Sequence, residues 1–266
     1  CPYYSRDYID LFKPGVRCWV ESRGYGAGAY QLPWTFASIH NTGVSVGGSM
    51  KWCIPGEVVT LNPVTVTWSY EMTITNRIFE GLMTINPYTH EDMPWTALKW
   101  ETIPWSNLSM GVENGMIIRF WLRNDVTWHD GRPVNSTDIK WNFDYIAKLK
   151  MPQYYAIWQN LVKCETRHAN LIDIYVNTIG FWTVLEYAGV ALRFPRIVWD
   201  RPELDTLAEA EAFKPWKVRY KDWTGITPLL GDALSCLIGT GPYYLDLTKG
   251  GWNEADLAVL QKDTNY

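Results

Sequence analysis

An α/β fold is predicted by three features of this chain. Residues 117–128 read as a strand, because Ile118, Phe120 and Leu122 alternate with Arg119, Trp121 and Arg123, the period-2 pattern of a sheet with one buried face. A turn follows at Asp130-Gly131, since aspartate bonds its own downstream backbone and glycine tolerates positive φ. Asn135-Ser136-Thr137-Asp138 then offers a side-chain oxygen to an orphan helix N–H, ahead of an amphipathic helix over 136–150.

The remaining elements follow in chain order. Residues 1–57 are rich in glycine and aromatics, among them Gly24, Gly26, Gly28, Tyr25, Tyr30, Trp34 and Phe36. This segment is expected to close a preceding lobe, with a strand at Val16–Val20, a short helix or strand at Trp34–His40 and a strand at Ser49–Ile54. Helices are expected over 71–82, 154–162, 181–190 and 204–213, and strands over 96–101, 116–123 and 171–177. Asn114-Gly115 is a turn dipeptide between two apolar runs, which predicts a hairpin there.

Composition bounds the function. The 266 residues are enough for one large or two modest domains. The net charge of −4 is interspersed, so no basic stripe calls for nucleic acid or an anionic membrane. No run of about eighteen apolar residues spans a bilayer, and the start, Cys1-Pro2-Tyr3-Tyr4, does not read as a signal peptide. Cys1, Cys18, Cys53, Cys164 and Cys236 are scattered, and His40, His90, His129 and His168 are isolated, so neither a metal site nor a cofactor is expected. An exported chain with these cysteines has room for one or two disulfides of unassigned pairing. Cys1 stands where a lipidated cysteine would begin a lipoprotein, but it is read as the place where the sequence simply starts. The excess lies in tryptophan, at 16, beside 16 tyrosines. Large aromatics fill cores, and part of this excess is expected to display stacking faces to a ligand.

Several ordered blocks carry a resemblance. Leu61-Asn62-Pro63 leads to Ile78-Phe79-Glu80-Gly81-Leu82, Asn86-Pro87 runs through Pro94-Trp95 to Leu98-Lys99-Trp100-Glu101, and Trp128-His129-Asp130-Gly131 opens the helix at 136. Gly239-Thr240-Gly241-Pro242-Tyr243 and the terminal Asn265-Tyr266 complete the series. Together they resemble the family 5 extracellular solute-binding proteins, the oligopeptide, dipeptide, nickel and oligosaccharide receptors of ABC importers. The resemblance implies a periplasmic-binding-protein-like fold (type II, cluster C), with mixed β-sheets flanked by helices and an incomplete second lobe. It assigns 58–200 to the first lobe with its inserted subdomain, and 201–266 to a variable connection that returns through the Gly-Thr-Gly-Pro-Tyr turn. The second lobe is expected in the remainder of a longer polypeptide.

By the same resemblance, the stretch after Leu61-Asn62-Pro63 lines the ligand cleft as an exposed strand edge. Counted without a gap, it is Thr67-Trp68-Ser69 with Tyr70, whose backbone would pair with an extended peptide while Trp68 stacks. A second candidate is the aromatic run holding Tyr154, Tyr155 and Trp158; packing competes with binding as the explanation for both. Trp128, His129, Asp130 and Gly131 are read as a turn element, and Gly239 to Tyr243 as a hinge-proximal turn, which lacks the lysine and helix of a phosphate loop. Asn107-Leu108-Ser109 and Asn135-Ser136-Thr137 are sequons, so Asn107 and Asn135 are glycosylation candidates; a glycan on either would place the chain outside the cell and favour an archaeal source.

Three function classes are weighed. A solute receptor closing two lobes on an oligopeptide, or alternatively on an oligosaccharide, leads; its partners are the importer's membrane subunits and its place is extracellular or periplasmic. A structural subunit of a surface layer or filament, self-assembling through aromatic patches, is the second. Catalysis is set aside, because acids such as Glu91-Asp92 are adjacent and point to opposite faces in an extended chain.

Overall fold

Residues 16–17, 40–41, 54, 56–180, 182–253, 258–263 and 266 are described by the computed structural model. They fall into two units, Cys1–Pro55 with Ile85–Asp92, and Gly56–Thr84 with Met93–Tyr266. In the first, β1 (Val16–Arg17) pairs antiparallel with β2 (His40–Asn41). Val16–Arg17 begins the strand expected at Val16–Val20. Cys1, residues 34–39, residues 49–53 and Asn265 lie outside the described residues. Asn86 closes a turn with its Oδ1, which accepts the amides of Tyr88 and Thr89 at 2.9 and 3.1 Å, as the short polar side chain of a turn asparagine does. Two three-residue strands, β3 (Met83–Ile85) and β4 (Asp92–Pro94), flank it in sequence.

The second unit is organised by the alternating strand. β5 (Ala97–Asn107), β6 (Val112–Leu122), β7 (Leu161–His168) and β8 (Leu171–Val176) form an antiparallel sheet in the order β5-β6-β8-β7. Register puts Ile118 opposite Thr102 and Ile174 on one face, and Arg119 opposite Glu101 and Asp173 on the other. The first face is the core. Ile118, Phe120, Ile172 and Ile174 meet Ile139, Phe143 and Ile146 there, all fully buried, the latter three on one stripe of helix α2 (Ser136–Leu149). On the opposite face Asp173 is covered by two guanidinia, Arg119 through Nε at 2.6 Å and Nη2 at 2.8 Å and Arg167 through Nε at 2.9 Å. These pairs hold its carboxyl below its usual range despite the opposing cost of burial.

The other α-helices among the described residues are α1 (Ser69–Ile78), α3 (Tyr155–Asn160), α4 (Thr183–Val190), α5 (Arg196–Trp199), α6 (Leu207–Ala212) and α7 (Tyr220–Thr224). Part of the aromatic excess packs among them. The Phe194 ring meets Tyr145, Tyr154 and Trp199 at 5.6, 5.9 and 5.1 Å, and Trp199, Phe213 and Trp223 continue the chain of contacts. Trp128, Trp199, Trp216 and Trp252 are buried, whereas Trp68 and Trp182 are exposed. A short antiparallel pair, β9 (Tyr243–Leu245) with β10 (Leu260–Lys262), closes the described chain. Cys164 and Cys236 are free, buried thiols; burial raises both, Cys236 to about 12.

Four expectations are corrected. Asn114-Gly115 is no turn: both lie inside β6, and the hairpin turns at Leu108–Gly111, where Gly111 has φ 72°. Gly115 is needed for closeness instead, since a Cβ there would sit 2.4 Å from the Val176 carbonyl oxygen. The strand expected over 96–101 runs on to Asn107 through Pro104. A proline is tolerated because β5 is an edge strand, so the missing N–H breaks no interior ladder. The helix expected over 154–162 ends at Asn160, and β7 begins at Leu161. The helix expected over 71–82 ends at Ile78, where the carbonyl of Ile78 accepts from Gly241 N at 2.9 Å.

Candidate functional site

The segment that follows Leu61-Asn62-Pro63 is fixed from both ends. Asn62 is buried, and its Nδ2 donates to the carbonyls of Ala210, Glu211 and Phe213 at 2.7, 3.2 and 2.9 Å. Those carbonyls end α6, so one side chain satisfies groups that the helix leaves unpaired. Its Oδ1 accepts from Val64 N at 2.8 Å. At the other end Glu71, buried in the first turn of α1, gathers three amides. Its Oε1 accepts from Thr60 N at 3.1 Å, and its Oε2 from Thr67 N at 3.2 Å and Trp68 N at 3.3 Å. A carboxylate at a helix start also suits the helix dipole.

Between these anchors the chain turns over residues 63–65, where Thr65 N and Val66 N both donate to Asn62 O at 2.9 Å. Trp68, extended with φ −89° and ψ 145°, sits at the N-cap of α1. Thr67, Trp68 and Ser69 are exposed, the Trp68 side chain at 65 %. Tyr70 is half-buried over Gly56, where a Cβ would fall 2.1 Å from its ring. The amides of Thr67 and Trp68 are therefore held by Glu71, and the side chains are what this segment presents outward. Glu71→Ala is expected to cost about 2–3 kcal/mol, because three backbone donors lose their acceptor together. Urea unfolding measures it; a loss below about half a kcal/mol would show that Glu71 does not hold the segment.

The second predicted run touches the turn at Pro63 that leads into the first. Tyr154 Oη donates to the Pro63 carbonyl at 2.7 Å, and Gln153 Nε2 donates to the same oxygen. Burial pushes the Tyr154 phenol up to about 12, so it stays a donor at any ordinary pH. Trp158 is likewise engaged, its Nε1 donating to Met151 O at 3.1 Å. Tyr155 is exposed and stands edge-on to Trp158 at 5.0 Å. Of the candidates, Trp68, Thr67, Ser69 and Tyr155 are open to solvent, while Tyr70, Tyr154 and Trp158 are half-buried against protein. Asn62 and Glu71, which position the segment, went unnoticed in the sequence; a glutamate three residues after the N-cap is the signal that marks the second.

The other signature blocks converge on a junction. His129 is buried, accepts from Gly239 N through Nδ1 at 3.2 Å and lies 2.7 Å from Gly241 O through Nε2. These partners fix the tautomer with the proton on Nε2. Asp130 accepts from Tyr220 Oη at 2.6 Å and Arg132 Nε at 2.8 Å, and Gly131 turns the chain with φ 88°. Gly239 and Gly241 lie directly on α1, where added Cβ atoms would fall 1.9 Å from Ile78 O and 2.5 Å from Arg77 O. Nearby, Glu80 accepts from Trp95 Nε1 at 2.8 Å and Tyr266 Oη at 2.7 Å, and burial raises its carboxyl to about 7 against those donors. Among the described residues no group of three His, Cys, Asp or Glu side chains is placed to hold a metal. No helix there is long and apolar enough to cross a membrane.

Capped turns, a tied segment with exposed aromatic faces and a sheet packed under a helix define a lobe of the periplasmic-binding-protein class. Residues 93–266 match the family described as bacterial extracellular solute-binding proteins, family 5 middle, and the chain belongs to that family, whose members are non-enzymatic components of importers. The peptide transport periplasmic protein SapA of Salmonella typhimurium is 26 % identical over 117 residues, 41 % of this chain and 19 % of SapA. Among solved structures, a dipeptide-binding protein from Pseudoalteromonas in complex with Met-Leu is similar, with a TM-score of 0.55 at 17 % identity over 80 % of this chain and 39 % of that one. NikZ of Campylobacter jejuni in complex with Ni(L-His) gives 0.54 at 18 % identity over 80 % and 35 %. The chain thus spans under a fifth of the curated relatives' length, and the structural likenesses show the fold.

Proposed function

We propose that this chain belongs to the solute receptor of an ABC importer, held outside the membrane, and that its ligand is an oligopeptide. In this reading residues 58–200 build the first lobe with its inserted subdomain and 201–266 return to it, while a second lobe elsewhere in the polypeptide closes over the ligand. The importer's membrane subunits take delivery. The observation that carries the reading is the pinned segment from Asn62 to Glu71, which is rigid at both ends and turns Trp68 outward. A preordered segment binds without a further ordering cost. The likeness to proteins named for peptide transport and dipeptide binding favours peptide among the ligands. Because Glu71 holds two amides of the segment, Trp68 and Thr67 side chains bear most of the recognition.

An oligosaccharide is the second reading, favoured by the open Trp68 indole, whose face suits stacking on a sugar ring. Titration calorimetry on the two-lobed polypeptide separates them, using a mixture of two- to eight-residue peptides and, in parallel, a set of neutral oligosaccharides. Peptide binding is expected, weakened about tenfold, or about 1.4 kcal/mol, by Trp68→Ala. Saturable binding of sugars with none of peptides would replace the peptide reading, and an unchanged affinity in the variant would remove Trp68 from the site.

A further inference from the structure

The two sequons differ at the middle residue, exposed in one and buried in the other. Asn107-Leu108-Ser109 forms the end of the β5–β6 hairpin. The last β6–β8 pair is Met116 with Val176, and Gly115 still lies against the Val176 carbonyl, so residues 112–114 of β6 and the turn beyond them pair with β5 alone at the end of the sheet. Leu108, the middle residue of the sequon, is 77 % exposed, and Met110 is exposed beside it. The Ser109 hydroxyl donates to Asn107 Oδ1 at 2.7 Å, which leaves the two Nδ2 hydrogens without a protein acceptor.

Asn135-Ser136-Thr137 has the same spacing, and Asn135 is half-buried as Asn107 is and Thr137 exposed, but its middle residue is buried and its asparagine is tied to a helix start. Asn135 Oδ1 caps α2, accepting from Thr137 N at 2.9 Å and Asp138 N at 3.3 Å as well as from the Thr137 hydroxyl. Ser136, the middle residue, is 0 % exposed. Its amide donates to Ala169 O at 2.7 Å and its hydroxyl to His168 O at 2.6 Å. An enzyme that grips all three residues of a sequon cannot reach this one without unwinding the helix start.

We propose that Asn107, at the exposed hairpin tip, is an N-glycosylation site of the folded chain and that Asn135 is not. The proposal rests on the reading of the chain as exported, since the donor class, a polyprenyl-pyrophosphate-linked oligosaccharide, is used outside the cytosol. In the transfer, Asn107 Nδ2 bonds to C1 of the first sugar, and the bond from C1 to the pyrophosphate oxygen breaks with its electron pair. Polyprenyl pyrophosphate leaves, and one Nδ2 proton passes to a base of the transferase. The glycan would cover Leu108 and Met110, two apolar side chains that otherwise face water at the tip.

The test incubates the folded chain with a single-subunit oligosaccharyltransferase and a polyprenyl-linked oligosaccharide, followed by peptide mapping. One glycan is expected, on Asn107; Ser109→Ala abolishes it, and the unfolded chain accepts at Asn135 as well. Three results overturn the proposal: glycan on Asn135 of the folded chain, none on Asn107 while a peptide of residues 103–113 is modified, or no modification of that peptide. Solute binding by the Ser109→Ala variant, scored separately, reports on the receptor reading alone.

Discussion

Gly239→Ala is expected to destabilise the fold by about 3 kcal/mol or more, the upper range of overpacking substitutions. The cause is the contact between the Gly-Thr-Gly-Pro-Tyr turn and the end of α1. A Cβ on Gly239 would meet Ile78 O at 1.9 Å, Ile78 C at 2.7 Å and the Phe79 ring at 3.0 Å. The first two are backbone atoms of a helix end and cannot rotate away. They are also engaged, since Ile78 O accepts from Gly241 N at 2.9 Å. Making room therefore means separating the turn from α1 and stretching the His129 bonds on its other side. Gly225→Ala is the matched control. Gly225 has φ 74° but nothing within 4 Å of an added Cβ, so it carries only the left-handed strain of about 1 kcal/mol. Urea unfolding of both variants decides the matter, and equal losses would show that the close approach is not what Gly239 supplies.

The elements with strong local signals were legible. The cap at Asn135 and the helix it starts form as the residues predict, because the Oδ1 bonds are local and Ile139, Phe143 and Ile146 fall on one stripe. The turn at Gly131 forms for the same kind of reason. β7 was not legible: Lys163, Glu165 and Arg167 face the polar side of the sheet and Cys164 is the buried residue at its centre, too little apolar alternation to mark a strand. The hairpin was misplaced because Asn-Gly is a common turn pair, while its actual turn relies on Gly111 alone. The exposed faces of Trp68 and Tyr155 came from counting along a resemblance. The role of Asn62 depends on partners as far as 151 residues away along the chain, which no local pattern encodes. Glu71, by contrast, bonds amides within 11 residues, and its place three residues after the N-cap is a local signal.

His129→Leu is expected to cost about 3 kcal/mol and to remove part of the fold's acid sensitivity. Leucine keeps the packing but leaves Gly239 N–H and Gly241 C=O buried without partners, each worth about 1–3 kcal/mol. Burial lowers the His129 pKa below its ordinary 6.5, against the Gly241 carbonyl, Asp263 and Asp130, which favour the proton. A protonated ring would also lose the Nδ1 lone pair that accepts Gly239 N–H. The folded pKa is thus depressed relative to the unfolded one, so the stabilisation is fully present above about pH 6.5 and is lost as pH falls below it. Glu80 acts in the opposite sense. Its carboxyl is raised from 4.5 to about 7, so its contribution is present below about pH 4.5 and lost as pH rises through about 7. Wild type minus variant isolates the histidine: unfolding free energies at pH 5, 6, 7 and 8 should differ most at pH 8 and least at pH 5. His129→Gln, able to donate and accept along the same two directions, should recover part of the stability without the pH dependence. A difference that stays constant from pH 5 to pH 8 would mean that the imidazole joins the two signature turns as a proton-independent spacer, and that its neutrality has no part in holding them.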